Sequence, residues 1–120
     1  DLSMNNISTL PENAFFHLTS LQDLRLASNK LRRLPKKVFR KNNFLSTVYL
    51  QGNKFESVPR GALQNLRNLQ QLHLDANQIR EVPANCFKNL VSLQQLWLDY
   101  NNLTKVPTRA LSFLPKLGAL

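Results

Sequence analysis

The chain is 120 residues long and 42% hydrophobic, with one cysteine and a net charge of +9. That is one domain's worth of material, and no shift in composition divides it. The lone cysteine excludes a disulfide framework and a multi-cysteine zinc site, no run approaches the roughly 18 apolar residues of a membrane span, and the excess charge has to lie somewhere.

From the amino end, "DLSMNNI" (residues 1–7) returns as "DLRLASNKL" (23–31), "TVYLQGNKF" (47–55), "QLHLDANQI" (71–79) and "QLWLDYNNL" (95–103), before the chain closes on "LGAL". Leu21, Leu45, Leu69, Leu93 and Leu117 are each 24 residues apart. An asparagine column (Asn5, Asn29, Asn53, Asn77, Asn101) and a proline column (Pro11, Pro35, Pro59, Pro83, Pro107) are complete, and Phe15, Phe39, Leu63, Phe87 and Leu111 form an apolar spine. A fixed period of this length marks a solenoid. Each period predicts one short strand whose leucines alternate with outward-facing residues, and no turn can bury its leucines alone, so neighbours stack over a continuous core. The expectation is about five short strands in a parallel sheet, spaced roughly 4.8 Å apart. A buried asparagine at each turn supplies both a donor and an acceptor to backbone groups that the ladder leaves unpaired. Proline favours an extended return path rather than a helix.

This pattern is identified as that of the leucine-rich repeat. The fold class is α/β: a leucine-rich-repeat solenoid with short parallel strands on the concave face and a mostly irregular convex side with little helix. Residues 1–120 read as one array of about five 24-residue repeats. Neither terminal repeat carries a polar cap, so the array is expected to be a piece of a longer ectodomain. One position breaks rank: Asn42 stands in the column of Leu18, Leu66, Leu90 and Leu114. Either Phe44 swings in to fill that space or the asparagine binds local backbone, with a locally irregular turn.

Seven of the sixteen basic residues lie in "NKLRRLPKKVFRK". Of these, Arg32, Arg33, Lys36, Lys37, Arg40 and Lys41 are candidates for binding heparan sulfate or another polyanion. The run is interrupted by Leu31, Leu34, Pro35, Val38 and Phe39, all in core columns, so its charges decorate the outer surface of one turn. Nucleic acid is not expected, because the exposed aromatics lie on a different face. Cys86 aligns with Ala14, Val38, Ala62 and Ala110, which makes it a core residue. His17 falls on the outer side of its repeat. No nucleophile set, phosphate loop or metal spacing exists, so neither an enzyme nor a cofactor or metal is expected. Two sequons, at Asn6 and Asn102, each follow a ladder asparagine by one place and should face solvent; they support a secreted context.

With Leu96 and Leu98 inward, period two sends Trp97 onto the inside of the curve. Its column reads Arg25, Tyr49, His73, Trp97; the next reads Ala27, Gln51, Asp75, Asp99; the one after it ends in Ala76 and Tyr100; and Gln71 and Gln95 lie on the other side. On this face Asp23, Asp75 and Asp99 are set against Arg25 alone among permanent charges. Tryptophan and tyrosine dominate interface energetics, so Arg25, Tyr49, His73, Asp75, Gln95, Trp97, Asp99 and Tyr100 form the candidate ligand-binding set. The partner should carry apolar side chains and a lysine or arginine reaching Asp75 and Asp99.

"DLSMNNIS", "LQQLHLDANQI", "ALQNLRNLQ" and "VPANCFKNLVSLQQLWLDYNNLTKVP" resemble the ectodomain repeats of the leucine-rich-repeat G-protein-coupled receptors that bind R-spondins. The likeness covers nearly the whole chain and is strongest from Ala62 to Pro107. It implies a segment of a receptor's extracellular part at the plasma membrane, with an R-spondin-like ligand on the concave surface and a role in Wnt-type or G-protein-coupled signalling. It places the family's contact positions on His73, Asp75, Gln95, Trp97, Asp99 and Tyr100. A cystine-knot hormone is an alternative ligand. Other readings of the repeat are a secreted matrix protein binding glycosaminoglycan through the basic run, or a recognition module of the Toll-like or variable-lymphocyte-receptor type.

Overall fold

Leu24, Val48, Leu72 and Leu96 sit at the centres of four three-residue strands: β1 (Asp23–Arg25), β2 (Thr47–Tyr49), β3 (Gln71–His73) and β4 (Gln95–Trp97). The computed structural model describes residues 1–111. The strands form one parallel sheet in the order β1-β2-β3-β4. Their register follows the 24-residue period without a slip, Asp23 facing Thr47, then Gln71, then Gln95. A register fixed by buried leucines is strongly specified, because a one-residue slip would expose them all.

Among the described residues the sheet has four strands, where about five were expected of the whole chain. Residues 2 and 4 do donate ladder-like bonds, from Leu2 N to Arg25 O (2.8 Å) and from Met4 N to Ala27 O (3.0 Å), but form no strand. Leu114 and Leu117 lie outside the described residues.

Behind the sheet the core is continuous. Leu26, Leu50, Leu74, Leu45, Leu69 and Leu93 are fully or almost fully buried, and so is the spine of Phe15, Phe39, Leu63 and Phe87. Phe15 and Phe39 stack at 6.1 Å between ring centroids. Cys86 belongs to this core, where burial pushes its thiol pKa up, opposed by the nearby charge of Arg60.

The asparagine ladder joins each turn to the one before it. Asn53 donates to Leu50 O in its own turn and to Leu26 O in the preceding one, both at 3.0 Å, while its Oδ1 accepts from Leu31 N at 3.1 Å. Asn77 repeats the pattern with Leu74 O, Leu50 O and Phe55 N. Asn101 repeats it with Leu98 O, Leu74 O and Ile79 N. Asn29, Asn53 and Asn77 are buried, Asn101 is half-buried and Asn5 is exposed.

Two expectations change on the outer side. Proline opens a tight turn rather than an extended return: the carbonyls of Pro11, Pro35, Pro59 and Pro83 accept from the N–H three residues on, at 3.1–3.2 Å. After Pro59 and Pro107 the turn lengthens into α1 (Arg60–Leu63) and α2 (Thr108–Leu111). Proline's fixed φ suits a helical start, where its missing N–H costs nothing. Asn42 neither binds local backbone nor makes way for Phe44, which stays 60% exposed. Its amide donates to Phe15 O (3.0 Å) and Leu18 O (2.9 Å) of the preceding turn. Cross-turn pairing satisfies those carbonyls as the ladder does elsewhere, so the turn keeps the same course as its neighbours.

Candidate functional site

The alternation that buries Leu24, Val48, Leu72 and Leu96 points Arg25, Tyr49, His73 and Trp97 to the concave side, one from the end of each strand. Parallel, in-register strands carry them past one another at ring-stacking distance. The Arg25 guanidinium lies 5.0 Å from the Tyr49 ring centroid. Tyr49 stacks on His73 at 4.5 Å and 25°, and His73 on Trp97 at 4.0 Å and 8°. The four side chains make one pile across the whole sheet. Column membership was legible in the sequence; the unbroken stack was not.

Arg25 is also paired with Asp23 at 3.2 Å, with both side chains about half exposed. That pair cancels its own charge, which leaves Asp75 and Asp99 as the net charge of this face. Asp75 follows His73 by two positions, and Gln51 stands in the same column one turn earlier. Gln51 Oε1, His73 Nε2 and Asp75 Oδ1 are all buried with no hydrogen-bond partner in the protein. Burial lowers the His73 pKa from its ordinary 6.5, against the opposing pull of Asp75, so the ring is neutral at neutral pH. Asp75 is raised from 3.8, first by burial and then by the charge of Asp99, with its own backbone N–H and His73 opposing. The face therefore presents aromatic area beside two buried acceptors without donors, Gln51 Oε1 and Asp75 Oδ1, and an unpaired imidazole nitrogen.

Gln95 begins β4 opposite Gln71, half-buried, at the flank of the stack. Tyr100 is 83% exposed and has φ 56°, in the left-handed region. It shares this backbone conformation with its whole column: Met4 (59°), Ser28 (57°), Gly52 (73°) and Ala76 (54°). Sequence reasoning missed this corner, and Gly52 was the signal that could have found it, since glycine is the residue that adopts positive φ freely. A residue as bulky as tyrosine is uncommon there and holds stored strain.

The remaining candidates lie elsewhere. Asn6 and Asn102 are both exposed. The basic run splits: Arg40 and Lys41 turn over Phe16, at 5.2 and 5.5 Å from its ring, and Arg40 also reaches Glu12 at 4.0 Å. Lys37 is exposed, while Arg32, Arg33 and Lys36 line a groove on the outer side. His17 is exposed beside Phe16, the two rings edge-to-face at 5.2 Å.

The sequence profile described as "Leucine rich repeat" matches residues 19–79, 43–103 and 67–120. No curated protein sequence matches the chain. Among solved structures, the chain is similar to the leucine-rich-repeat domain of APL1, with 32% identity and a TM-score of 0.88 over 99% of this chain and 31% of that one. It is also similar to a leucine-rich-repeat protein of Leptospira interrogans, with 33% identity and a TM-score of 0.82 over 97% of this chain and 29% of that one. A third similar structure is the Toll–Spatzle complex of Drosophila, at 25% identity and a TM-score of 0.90 over 99% of this chain and 17% of that one. The chain thus spans less than a third of the length of each of these three.

Proposed function

The chain belongs to the leucine-rich-repeat family, and from that premise we propose that it is a ligand-binding segment of a cell-surface receptor ectodomain, taking a secreted protein on its concave sheet. Domains of this family are non-enzymatic, protein-binding modules. The observation that carries the finer reading is the Tyr49–His73–Trp97 stack flanked by acceptors without donors. Pre-stacked rings offer a rigid apolar platform whose ordering cost is met before the partner arrives. Gln51, Asp75 and Asp99 beside it call for a lysine or arginine on the partner. An R-spondin-like protein or a cystine-knot hormone is the ligand class that the family resemblance implies. The solved complex of Toll with Spatzle supports a protein ligand for a repeat array of this geometry.

Kinetics on immobilised chain, with R-spondin and a cystine-knot hormone as analytes, test the proposal. Asp75→Asn and Asp99→Asn should slow association and flatten its salt dependence, because the paired charges steer a basic partner. Binding that is unchanged in both variants and in Tyr100→Ala would place the ligand away from this face and sink the reading.

A further inference from the structure

The outer side of the solenoid carries a second, oppositely charged feature. Lys36 and Arg60 occupy one column, 24 residues apart, and so lie on adjacent turns. With Lys88 of the following turn they line a groove of about 480 Å³, to which Gln64, Asn85 and Asn89 add neutral amides. Gly61 belongs to the same wall: a β-carbon there would stand 3.4 Å from Lys36 Cγ, so the missing side chain leaves the groove open beside the lysine stem. A smaller groove of about 160 Å³ shares Lys36 and Gly61 and is lined further by Arg32 and Arg33. The two join at Lys36 and Gly61 into one path with five exposed cations.

Its chemistry is specific. Among the described residues neither groove has a carboxylate in its lining, and none of the five cations is ion-paired. Among the described residues only one aromatic lines either groove, Phe55, and it is fully buried, so these residues offer no platform for stacking bases. The array crosses three successive turns, about 10 Å at strand spacing and more on the convex side, which is longer than a single sulfate or phosphate. Cations spaced along a groove, with amides between them, suit a chain of regularly placed sulfates whose hydroxyls meet the amides.

We propose that the path from Arg32 and Arg33 through Lys36 and Arg60 to Lys88 binds a linear sulfated glycosaminoglycan. This goes beyond concave-face recognition and leaves that face free. It also differs from a simple reading of the basic run in sequence: Arg60 and Lys88 lie outside the run and join the site, whereas Arg40 and Lys41 lie inside the run and do not line it.

Titration of the full chain with a heparin octasaccharide at fixed ionic strength decides the matter, with thermal melts to check that each variant folds. Arg60→Glu and Lys88→Glu should each weaken binding about tenfold, the scale of one charge-assisted hydrogen bond. Gly61→Gln changes no charge and puts a better helix former into α1, yet fills the groove; it should weaken binding several-fold. Lys41→Glu, outside the path, should change affinity less than about twofold. If Gly61→Gln does not fold, Lys36→Met compared with Lys41→Met carries the same contrast. Equal losses for Lys41→Glu and Lys88→Glu would mean a diffuse field rather than a groove and overturn the proposal. So would a single-stranded oligonucleotide of equal charge binding as tightly with the same variant profile, which would indicate nucleic acid. Displacement of the octasaccharide by inorganic sulfate at matched sulfate concentration would reduce the groove to a simple anion site and overturn it as well.

Discussion

The His73 imidazole lies nearly parallel to the Trp97 indole, with ring centroids 4.0 Å apart and planes inclined by 8°. Trp97 is therefore braced by a neighbour on the surface, outside the leucine core. In Trp97→Ala, ligand binding should weaken by about 2 kcal/mol or more, chiefly through faster dissociation. Folding should lose the stacking contribution, about 0.5–1.5 kcal/mol, together with the buried part of a half-exposed ring. Paired surface-plasmon and urea-unfolding measurements separate the two. A folding loss larger than the binding loss would make the ring structural.

Acid should act on this face in two opposite ways. His73 has a folded pKa below its ordinary 6.5, chiefly through burial, so the unfolded chain takes up the proton first as pH falls. Stability from this group is complete above about pH 6.5 and declines below it. Asp75 has a folded pKa raised above 3.8, so its folded carboxyl is protonated first and its penalty is relieved in acid. The melting temperature should drop as pH falls below about 6.5, and drop less in His73→Gln. Asp75→Asn should raise stability at neutral pH and remove the relief at lower pH. A His73→Gln profile that overlays the parent would show that the imidazole does not govern this window.

Asn53→Ala and Asn77→Ala should each destabilise by about 1–3 kcal/mol for every buried backbone group left unpaired. Each asparagine donates to three carbonyls, two of them at 3.0–3.1 Å, and accepts from one N–H. Asn101 is less buried, so its alanine variant should cost less because water can replace the lost partners. Denaturant midpoints give the ranking; a neutral Asn53→Ala would remove the ladder from the account of stability.

The left-handed corner invites a test that dissociates stability from binding. Ala76 sits at φ 54° and Tyr100 at φ 56°. An L-residue there costs about 1–2 kcal/mol, and glycine gives back part of that gain in unfolded-state entropy, so Ala76→Gly should stabilise by roughly 0.5–1 kcal/mol. Tyr100→Gly should stabilise likewise while weakening ligand binding. Gly52→Ala should go the other way, since φ is 73° and the new β-carbon would lie 3.2 Å from Ser28 Oγ. If all three are neutral, the corner holds no strain.

Leucines spaced by 24 residues can be buried together in only one way, so the sheet, its register and the outward direction of Trp97 were all readable from residue positions. Spacing does not carry distances between side chains. It put Tyr49, His73 and Trp97 in one column, but their contact follows from the narrow separation of parallel strands. The Asn42 amide was placed wrongly because both readings looked for partners nearby in sequence, whereas its carbonyls lie 24 and 27 residues back. The outer groove escaped for the same reason: Arg60 is remote from Lys36 along the chain and adjacent to it across turns. In each case the 24-residue shift held the information and the local window did not.

The ladder also has a direction. Leu31 N waits for Asn53, 22 residues further on, and Phe55 N waits for Asn77 over the same interval. Each asparagine side chain reaches back toward the amino end, so the side-chain part of every junction comes from the later turn, while backbone bonds such as Lys54 N to Leu31 O (2.8 Å) draw on the earlier one. Loss of a turn from the carboxyl side therefore strips partners from the turn before it: without Asn77, Phe55 N has no acceptor and Leu50 O loses one of its donors.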